Sequence, residues 1–466
     1  MPLFVGATFI SLVISPRAPA RMPLVWGYGM LLGLLATPLV MRTLDVLGVP
    51  ITFYPVALSL AALILVTAIP HKLRRQAVTE VRICSPDYYS LPIAEKALFV
   101  FFLSLIVLRF ATFGLELVWR PLFPWDATMH WATKARVWFD SQSLVTFVEN
   151  RQWLEMGGAG VFTDHHPGYP ITTPLLQTWV SLSLGRWDES LINLPWLLCC
   201  LGLLAAFFGQ ARVAGSSVVT AMVFTYMLVS MPLLGTHVAL AGYADLFLGA
   251  CYCAAIMAFH NWSLTGERGQ AIMAIVFALF CPLIKNEGLF WLLTFLPGLI
   301  VVLLPSRRAL QLLAAGLVML AGVLLLVPQD LTVAGHSPGD LNLRYQAGAL
   351  AGIATSIWVQ DNWHLLGYLL VGLPPLVFLT RTSAGGKLAG IATILLSAIA
   401  LFLLLFLVTR YSRGAVGFTA VGRISLQLVP ALMFFCLLLW NEVVARTPIP
   451  RTAEPAAIIP TTQSLG

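Results

Sequence analysis

Apolar residues dominate this chain in long uninterrupted runs, and polar residues collect in the segments between them. Runs such as LFVFFLSLIVLRFATFGLEL and ALQLLAAGLVMLAGVLLLV approach the roughly 20 apolar residues that a helix needs to cross a ~30 Å hydrocarbon layer. Because these runs are continuous rather than alternating, they predict membrane-spanning helices and not the strands of a barrel. The expected fold class is an all-α, polytopic membrane protein.

About thirteen spanning segments are expected, within a range of about eleven to thirteen. Neither an internal repeat nor an inverted pair of broken helices is visible in the sequence. The predicted segments lie near residues 2–15, 24–42, 52–69, 96–118, 190–208, 215–234, 243–260, 270–284, 288–304, 309–327, 363–380, 388–408 and 424–444.

Composition supports a membrane protein and argues against a nucleic-acid partner. The 466 residues are 59% hydrophobic and 10% charged, whereas ordinary soluble domains are about 45–50% apolar and about 25% charged. The net charge of +7 comes from basic residues scattered among short loops, so no nucleic-acid patch is expected. Of seven cysteines, all but Cys84 lie in apolar runs, which predicts buried small side chains rather than disulfides or metal ligands.

The distribution of basic residues predicts an orientation. When the loops are assigned alternately to two sides, one side holds short basic loops, which is typical of the cytoplasmic face. Those loops contain Arg17, Arg21, the HKLRR stretch with Arg82, Arg212, Arg268, Arg307, Arg308, Arg381, Lys387, Arg446 and Arg451.

The opposite, outer side should then be poor in cations, but it is not. Its cations require either acidic partners within the protein or an anionic ligand. They are Arg120, Lys134, Arg136, Arg151, Arg186, Lys285, Arg344, Arg410, Arg413 and Arg423.

The stretch FPWDATMHWATKARVWFDSQSL is the most polar part of the outer side. On a helix, Asp126, His130 and Lys134 would form one stripe, and Trp131 and Trp138 a neighbouring apolar face. One interpretation is an interfacial helix with its indoles at headgroup depth. The other is that Asp126 is a general base, because a hydroxyl is a weak nucleophile until a carboxylate takes its proton.

The stretch TDHHPGYPITTP follows and is predicted to be a fixed, irregular loop because of its three prolines. Asp164, His165, His166 and His130 are candidate metal ligands, but their spacing is not diagnostic. Substrate binding by these histidines, Lys134 and Tyr169, or a structural role in the loop, is the favoured interpretation. The segment LLQTWVSLSLG after it is too short to span and is expected to be a re-entrant or surface helix.

Three further ionisable residues lie at the ends of predicted spans. Asp245 lies in AGYADLFLG, at the start of the seventh predicted span, and Lys285 and Glu287 belong to KNEG. Charges at membrane depth are costly and are therefore functional candidates. The alternative is a mutually paired cluster that only fixes helix packing.

Three arginines lie near the last two spans, in TRYSRGAVGFTAVGRISLQLVPAL. The planar guanidinium matches phosphate oxygens with two bonds at once, so Arg410, Arg413 and Arg423 suit a lipid phosphate. The alternative for all three is contact with lipid headgroups or snorkelling at a helix end.

These residues together resemble the GT-C superfamily of membrane glycosyltransferases, which use polyprenyl-phosphate sugar donors. Within it they look like the bacterial family-39 and ArnT-like enzymes. The matching features are PWDATMHW with a following interfacial helix, HPGYP, GYADL, KNEG, and a late GR followed by LQLVP, from about residue 96 to 435. The sequence departs from the family in having Ala127 where an acidic pair often occurs, and in having three segments before the helix that leads into this loop.

The resemblance implies an inverting glycosyltransferase in which Asp126 matches the catalytic aspartate. Arg423 and Lys285 match residues that hold the donor phosphate, with Arg410 and Arg413 beside them and Asp245 and Glu287 orienting the lysine or binding sugar hydroxyls. No cofactor is firmly implied, and a divalent metal is left open. The partners would be a polyprenyl-phosphate-linked sugar, membrane lipids, and a glycan, lipid or protein acceptor.

The apolar runs, the distribution of basic residues and the resemblance together predict a domain organisation and a location. Residues 1–95 would form N-terminal helices with a basic cytoplasmic loop, and 446–466 a flexible cytoplasmic tail. Residues 96–445 would form a GT-C-like catalytic domain in the inner (plasma) membrane, with outer loops 119–189 and 328–362 and the active site on the periplasmic face. The alternatives are a surface-polysaccharide ligase or polymerase, and a transporter or flippase for an anionic lipid or sugar.

Overall fold

The structure, a computed structural model, describes residues 1–73, 88, 90–326, 328, 331, 339, 343–379 and 384–445. It is 78% helix and 1% strand, which confirms the all-α prediction. The predictions about Arg82, Cys84, Arg381 and the 446–466 tail, and about much of the 328–362 loop, lie outside these residues.

Twenty-one α-helices run through the described part of the chain, together with three short irregular turns and two short strands. Their bounds are α1 Pro2–Val13, α2 Arg21–Val46, α3 Phe53–Leu73, α4 Ile93–Trp119, a π-turn Ala127–Ala132, α5 Thr133–Ser141, β1 Phe147–Val148, α6 Asn150–Glu155, β2 Phe162–Thr163, α7 Thr172–Leu184, a 3-10 turn Leu191–Asn193, α8 Leu194–Val213, α9 Val218–Ser230, α10 Pro232–Ala239, α11 Asp245–Thr265, α12 Arg268–Ile284, α13 Glu287–Leu293, α14 Phe295–Leu303, α15 Ser306–Leu326, α16 Ala347–Ala354, a π-turn Thr355–Val359, α17 Leu365–Leu379, α18 Ala384–Val408, α19 Ser412–Val416, α20 Val421–Leu426 and α21 Val429–Val444.

Each of the thirteen predicted segments falls on a helix or on an interrupted helix. Within the described ranges, six helices are long and apolar enough to cross a membrane unaided, namely α2, α3, α4, α8, α11 and α18. The consecutive helices α9 and α10 would make a seventh span, bent by 61° at their junction. The chain therefore has the helices of a membrane protein, and the count of about thirteen spans stays a prediction.

Three of the predicted spans are each divided between two helices in the structure. The span 215–234 breaks before Pro232, whose ring removes a backbone N–H. The span 288–304 divides at Thr294, between α13 and α14. The span 424–444 divides between α20 and α21, and Pro430 lies in the first turn of the second part.

The helix α11 forms the centre of the bundle. Every residue from Asp245 to Asn261 is buried, because α8, α12, α18 and α21 pack around it. Close approach of helices elsewhere depends on glycine: a Cβ on Gly6 would lie 1.9 Å from the carbonyl oxygen of Gly29. The core is therefore continuous from the N-terminal helices to the last one.

The 119–189 segment folds onto the bundle, and its burial does not fit one of the alternatives offered for each of two stretches. Trp131 and Trp138 are 1% and 3% exposed, so they are core residues and not interfacial anchors. Trp131 stacks on Tyr169, and Trp138 packs edge-on against Phe147. Residues 172–179 of the short helix α7 are all buried, which does not fit a surface helix, and the re-entrant alternative stays a prediction.

Candidate functional site

Five charged residues from four parts of the chain form one ion-pair network, here called the charged cluster: Asp126, Asp245, Lys285, Glu287 and Arg423. Arg423 contacts Asp126 through Nη1 at 2.5 Å and Asp245 through Nε at 3.2 Å. Lys285 Nζ lies 2.9 Å from Asp245 Oδ1 and 2.9 Å from Glu287 Oε1. The cluster therefore alternates acids and bases, with Asp245 at its centre.

Asp245 is held by its position as well as by its partners. It is the first residue of α11 and is 0% exposed, and the N-terminus of a helix favours a negative charge. Gln427 Nε2 donates to Asp245 Oδ1 at 2.5 Å, while Gln427 Oε1 accepts a hydrogen bond from Trp291 Nε1 at 2.6 Å. A buried carboxylate with this many donors stays ionised and fixes the two cations around it.

Lys285 reaches Asp245 because a helix is interrupted beside it. The helix α12 ends at Ile284, Lys285 is extended, and the next helix begins at Glu287. This break turns the lysine side chain, 5% exposed, towards the start of α11. On an unbroken helix over KNEG, Lys285 and Glu287 would point in different directions, because residues two positions apart do not share a helix face.

Arg423 lies on the short helix α20, between the two aspartates. Its guanidinium carbon is 4.0 Å from the centre of the Tyr243 ring, a cation–π distance. Burial raises the pKa of the Tyr243 hydroxyl, so this hydroxyl keeps its proton at neutral pH. Arg423 is therefore held by three contacts, with Asp126, Asp245 and the ring of Tyr243.

Exposure increases from the centre of the charged cluster to one edge. The side chain of Asp245 is 0% exposed, that of Arg423 is 23% exposed and that of Asp126 is 36% exposed. Asp126 Oδ2 is taken by Arg423, and Oδ1 has no hydrogen bond within the described part of the chain. Asp126 is thus the most exposed side chain of the cluster, and Glu287, at the other end, is 27% exposed.

The charged cluster has three carboxylates and two cations, a net charge of −1. An anion would therefore need a further cation or would have to draw Arg423 away from Asp126. Arg410 and Arg413 are exposed, and neither forms an ion pair with another described residue. The structure does not place these two arginines in the cluster, although both are free to contact a ligand.

A second group, the loop cluster, contains His130, Lys134, Asp164 and His166. Asp164 Oδ1 lies 2.5 Å from His130 Nδ1, and Asp164 Oδ2 lies 2.5 Å from Lys134 Nζ. Lys134 Nζ also donates to the carbonyl oxygen of His166 at 3.2 Å. The predicted stripe of Asp126, His130 and Lys134 is therefore divided: Asp126 pairs with Arg423, and the other two pair with Asp164.

The side chains of the loop cluster are paired with one another. Both oxygens of Asp164 are used in ion pairs, and the rings of His165 and His166 pack against each other with centres 4.7 Å apart. Across the described ranges, no three His, Cys, Asp or Glu side chains are grouped to hold a metal ion. The candidate metal ligands in the TDHH stretch are not arranged as a ligand set.

Tyr169 connects the loop cluster to the charged cluster. Its ring stacks on Trp131 and lies 5.0 Å from the ring of His166. Burial, and next the nearby charge of Glu287, raise the pKa of the Tyr169 hydroxyl, which is a hydrogen-bond donor at neutral pH. Burial and the neighbouring His130 lower the pKa of His166, so its imidazole is neutral near pH 7.

The loop cluster predicts an acid-sensitive stability. Burial opposes ionisation of Asp164, but the hydrogen bonds from Lys134 and His130 outweigh it and lower the pKa of this carboxyl. A lowered folded-state pKa stabilises the protein fully above the unfolded value, about 3.9, and this contribution is lost as pH falls below it. We therefore expect the unfolding temperature of the wild type to decrease as the pH is lowered below about 3.9.

Asp164→Asn is the variant that tests this expectation. Its free energy of unfolding at neutral pH should be about 1–3 kcal/mol lower than that of the wild type, because buried Lys134 loses its acidic partner. Its unfolding temperature should no longer show the decrease at acidic pH that comes from protonation of Asp164. Asp140→Asn is the matched control, since Asp140 forms an exposed pair with Arg136 and should behave like the wild type. An unchanged pH profile in Asp164→Asn would contradict the role of this carboxylate.

Several contacts of the site were missed in the sequence. Gln427 and Tyr243 lie inside the quoted stretches, but nothing in their spacing shows that one binds Asp245 and the other Arg423. Arg109, a lone cation in the apolar run LSLIVLRFATFG, was also overlooked. Its signal was available, because an ionisable residue within a span is a functional candidate by default.

The six described cysteines are buried free thiols, as expected. The chain was compared with protein-family models, with curated proteins and with solved structures, and none of them matches it. What the chain does is therefore inferred from the membrane helices and from the geometry of the charged cluster.

Proposed function

We propose that this protein is an inverting membrane glycosyltransferase that moves a sugar from a polyprenyl-phosphate donor to an acceptor hydroxyl. The observation that carries the proposal is the convergence of Asp126, Asp245, Lys285 and Arg423 in one network that opens at Asp126. A partly exposed carboxylate next to a partly exposed arginine supplies both groups that this reaction needs. One takes a proton, and the other stabilises a phosphate.

In the proposed reaction the acceptor oxygen attacks the anomeric carbon while Asp126 takes the hydroxyl proton. The bond from that carbon to the phosphate oxygen breaks, and its electron pair leaves with the polyprenyl phosphate. Asp126 acts on the face opposite the leaving group, which is the arrangement for inversion. The open Oδ1 atom is available for this proton, since Arg423 occupies Oδ2.

Negative charge grows on the phosphate as the bond breaks, and cations held in place stabilise it. Arg423 has a fork of donors that suits phosphate oxygens, and Asp245 keeps both Arg423 and Lys285 in position. Because the network is net negative, we propose that the exposed Arg410 and Arg413 approach the donor as additional cations. Arg423 would then exchange Asp126 for the phosphate, which frees the carboxylate.

We place the site on the outer face of the plasma membrane. The helix α12 begins at Arg268, a member of the basic set assigned to the cytoplasm, and Lys285 follows its last residue. Its 17 residues span about 25 Å. The charged cluster therefore lies at the end of the bundle opposite the basic loops, and the positive-inside rule assigns that end to the outside.

A transporter for an anionic lipid or sugar is the second candidate. The bend of 61° between α9 and α10 and the break at Lys285 are interruptions of the kind that line transport sites. A surface-polysaccharide polymerase would use the same cations. Only the transferases form a new glycosidic product, so product formation separates them from the transporter.

The donor side of the proposal is tested with Arg423→Gln. In liposomes that contain a radiolabelled polyprenyl-phosphate sugar, we expect the donor KM to rise about tenfold to hundredfold, because a charge-assisted phosphate contact is lost. The acceptor KM should change little. The matched control is Arg136→Gln, an exposed arginine paired with Asp140 in the 119–189 segment. An effect confined to the acceptor KM would reverse the assignment of the two substrates.

A further inference from the structure

Arg109 lies inside a membrane-spanning helix, away from both clusters. It is ten residues before Trp119, the last residue of α4, so it lies about 15 Å from that end of the helix. The exposed pair Glu116 and Arg120 marks the polar end of α4. Arg109 is thus about 10 Å below the level of Glu116, at the depth of the upper acyl chains.

No acidic side chain compensates Arg109. It forms no ion pair with any described residue, and its Nε atom is buried without a hydrogen-bond partner. Its guanidinium lies over the ring of Phe113, whose centre is 4.9 Å away. A desolvated arginine without an acid is costly at this depth, so the position calls for an anion that is not part of the protein.

Arg109 also lines a cavity with a volume of about 460 Å³, within the size range of small-molecule sites. The walls come from α4, α9, α17 and α21, and the break between α9 and α10 at Met231 forms part of them. Non-helical backbone at membrane depth is tolerated where it lines a cavity. Thr112, Tyr226, Ser230 and His364 add polar atoms, and no carboxylate lines the cavity.

The cavity opens sideways towards the hydrocarbon. Leu108, beside Arg109 in its wall, is 61% exposed, and Leu365 on the opposite wall is 50% exposed. His364, at the polar start of α17, is exposed as well. An occupant with a polar end and an apolar chain can therefore keep its chain in the lipid while its polar end reaches Arg109.

We propose that this cavity binds the phosphate headgroup of an anionic lipid drawn from the surrounding membrane, with Arg109 as the contact to the phosphate. Its guanidinium donates to the phosphate oxygens, and Tyr226 and His364 also line the cavity, whereas the hydroxyls of Thr112 and Ser230 donate to backbone carbonyl oxygens of their own helices. The lateral opening favours a lipid over a free anion, because a free phosphate would gain nothing from the apolar wall. This inference is independent of the proposed sugar transfer.

The test compares wild type, Arg109→Gln and Arg109→Lys purified in a neutral detergent. Each is titrated with phosphatidylglycerol, with phosphatidylcholine and with inorganic phosphate, and bound lipid is counted by native mass spectrometry. We expect one phosphatidylglycerol to bind the wild type preferentially. Arg109→Gln should bind it about tenfold more weakly, the loss of one charge-assisted contact, and Arg109→Lys should retain part of the affinity.

The control is Arg42→Gln, which removes an exposed arginine from α2 and should leave the preference intact. Thermal unfolding in phosphatidylcholine alone shows whether the variants are folded, and Arg109→Gln should be at least as stable there as the wild type. Undiminished phosphatidylglycerol binding by a folded Arg109→Gln would overturn the proposal. So would inorganic phosphate that competes as well as the lipid, since the site would then recognise a free anion.

Discussion

Asp126→Asn is expected to lower sugar transfer by a factor of about 10²–10⁴ while the protein stays folded and binds donor. The substitution keeps the size of the side chain but removes its capacity to take a proton, and general-base catalysis typically contributes a factor of this order. The measurement is initial rate in liposomes with a polyprenyl-phosphate sugar, together with donor affinity by native mass spectrometry. Wild-type-like turnover would exclude Asp126 as the base.

The ion pair between Asp126 and Arg423 makes a second outcome informative. If Asp126 only positioned Arg423, then Asp126→Asn would weaken donor binding and rate together. If Asp126 is the base, donor affinity should be kept or improved, because Arg423 is released from its carboxylate partner. Asp140→Asn is the control for a charge change in the same segment, as Asp140 forms its pair with Arg136 at the surface.

Asp245→Asn is expected to destabilise the protein by about 3–5 kcal/mol, the usual effect of removing one partner from a buried pair. Asp245 is fully buried and is the acid shared by Lys285 and Arg423. Its loss leaves a buried lysine with only Glu287 and an arginine with only Asp126. The measurement is the free energy of unfolding in detergent or bicelles, compared at the same lipid content.

Two companion variants make this prediction specific. Glu287→Gln removes the other acid of Lys285, but Glu287 is 27% exposed, and the expected loss is at most about 1 kcal/mol. Lys285→Met added to Asp245→Asn should recover part of the lost stability, because it removes the charge left without its main partner. An Asp245→Asn protein as stable as Glu287→Gln would show that Asp245 does not hold the cluster together.

The contrast between the two aspartates follows from where they lie in the cluster. Asp245 is enclosed by Lys285, Arg423 and Gln427 and has no exposed surface. Asp126 has a single partner and a free oxygen. The first residue is therefore expected to affect stability most, and the second to affect rate. A protein in which both substitutions had the same effect would not fit this division.

Much of the helical architecture follows from the sequence alone. The long apolar runs fix the membrane class and the positions of the helices, because only a helix satisfies its own backbone hydrogen bonds in lipid. The same pattern predicts that the basic loops lie at one end of the bundle and that Asp126, Asp245, Lys285 and Arg423 lie at the other. Each of these residues was visible as a charge that breaks an apolar pattern.

What the sequence did not determine was which charge pairs with which. Asp126 and Arg423 are 297 positions apart, and their contact depends on how α4, α11 and α20 pack. The spacing of Asp126, His130 and Lys134 suggested a common face, yet Asp164 from a distant loop pairs with the latter two. Sequence periodicity shows which residues share a face of one helix. It does not show which residues of different helices and loops form ion pairs with each other.

The burial of the two tryptophans was also not determined by the sequence pattern. A helix with tryptophans on one face and charges on another has the same pattern whether its apolar face meets lipid or protein. In the folded chain Trp131 and Trp138 meet Tyr169 and Phe147. The sequence thus determined a helical membrane protein and showed which charges are unusual in it. The tertiary structure decided that Asp126 stays accessible while Asp245 is enclosed, because pairing and burial depend on contacts between distant segments.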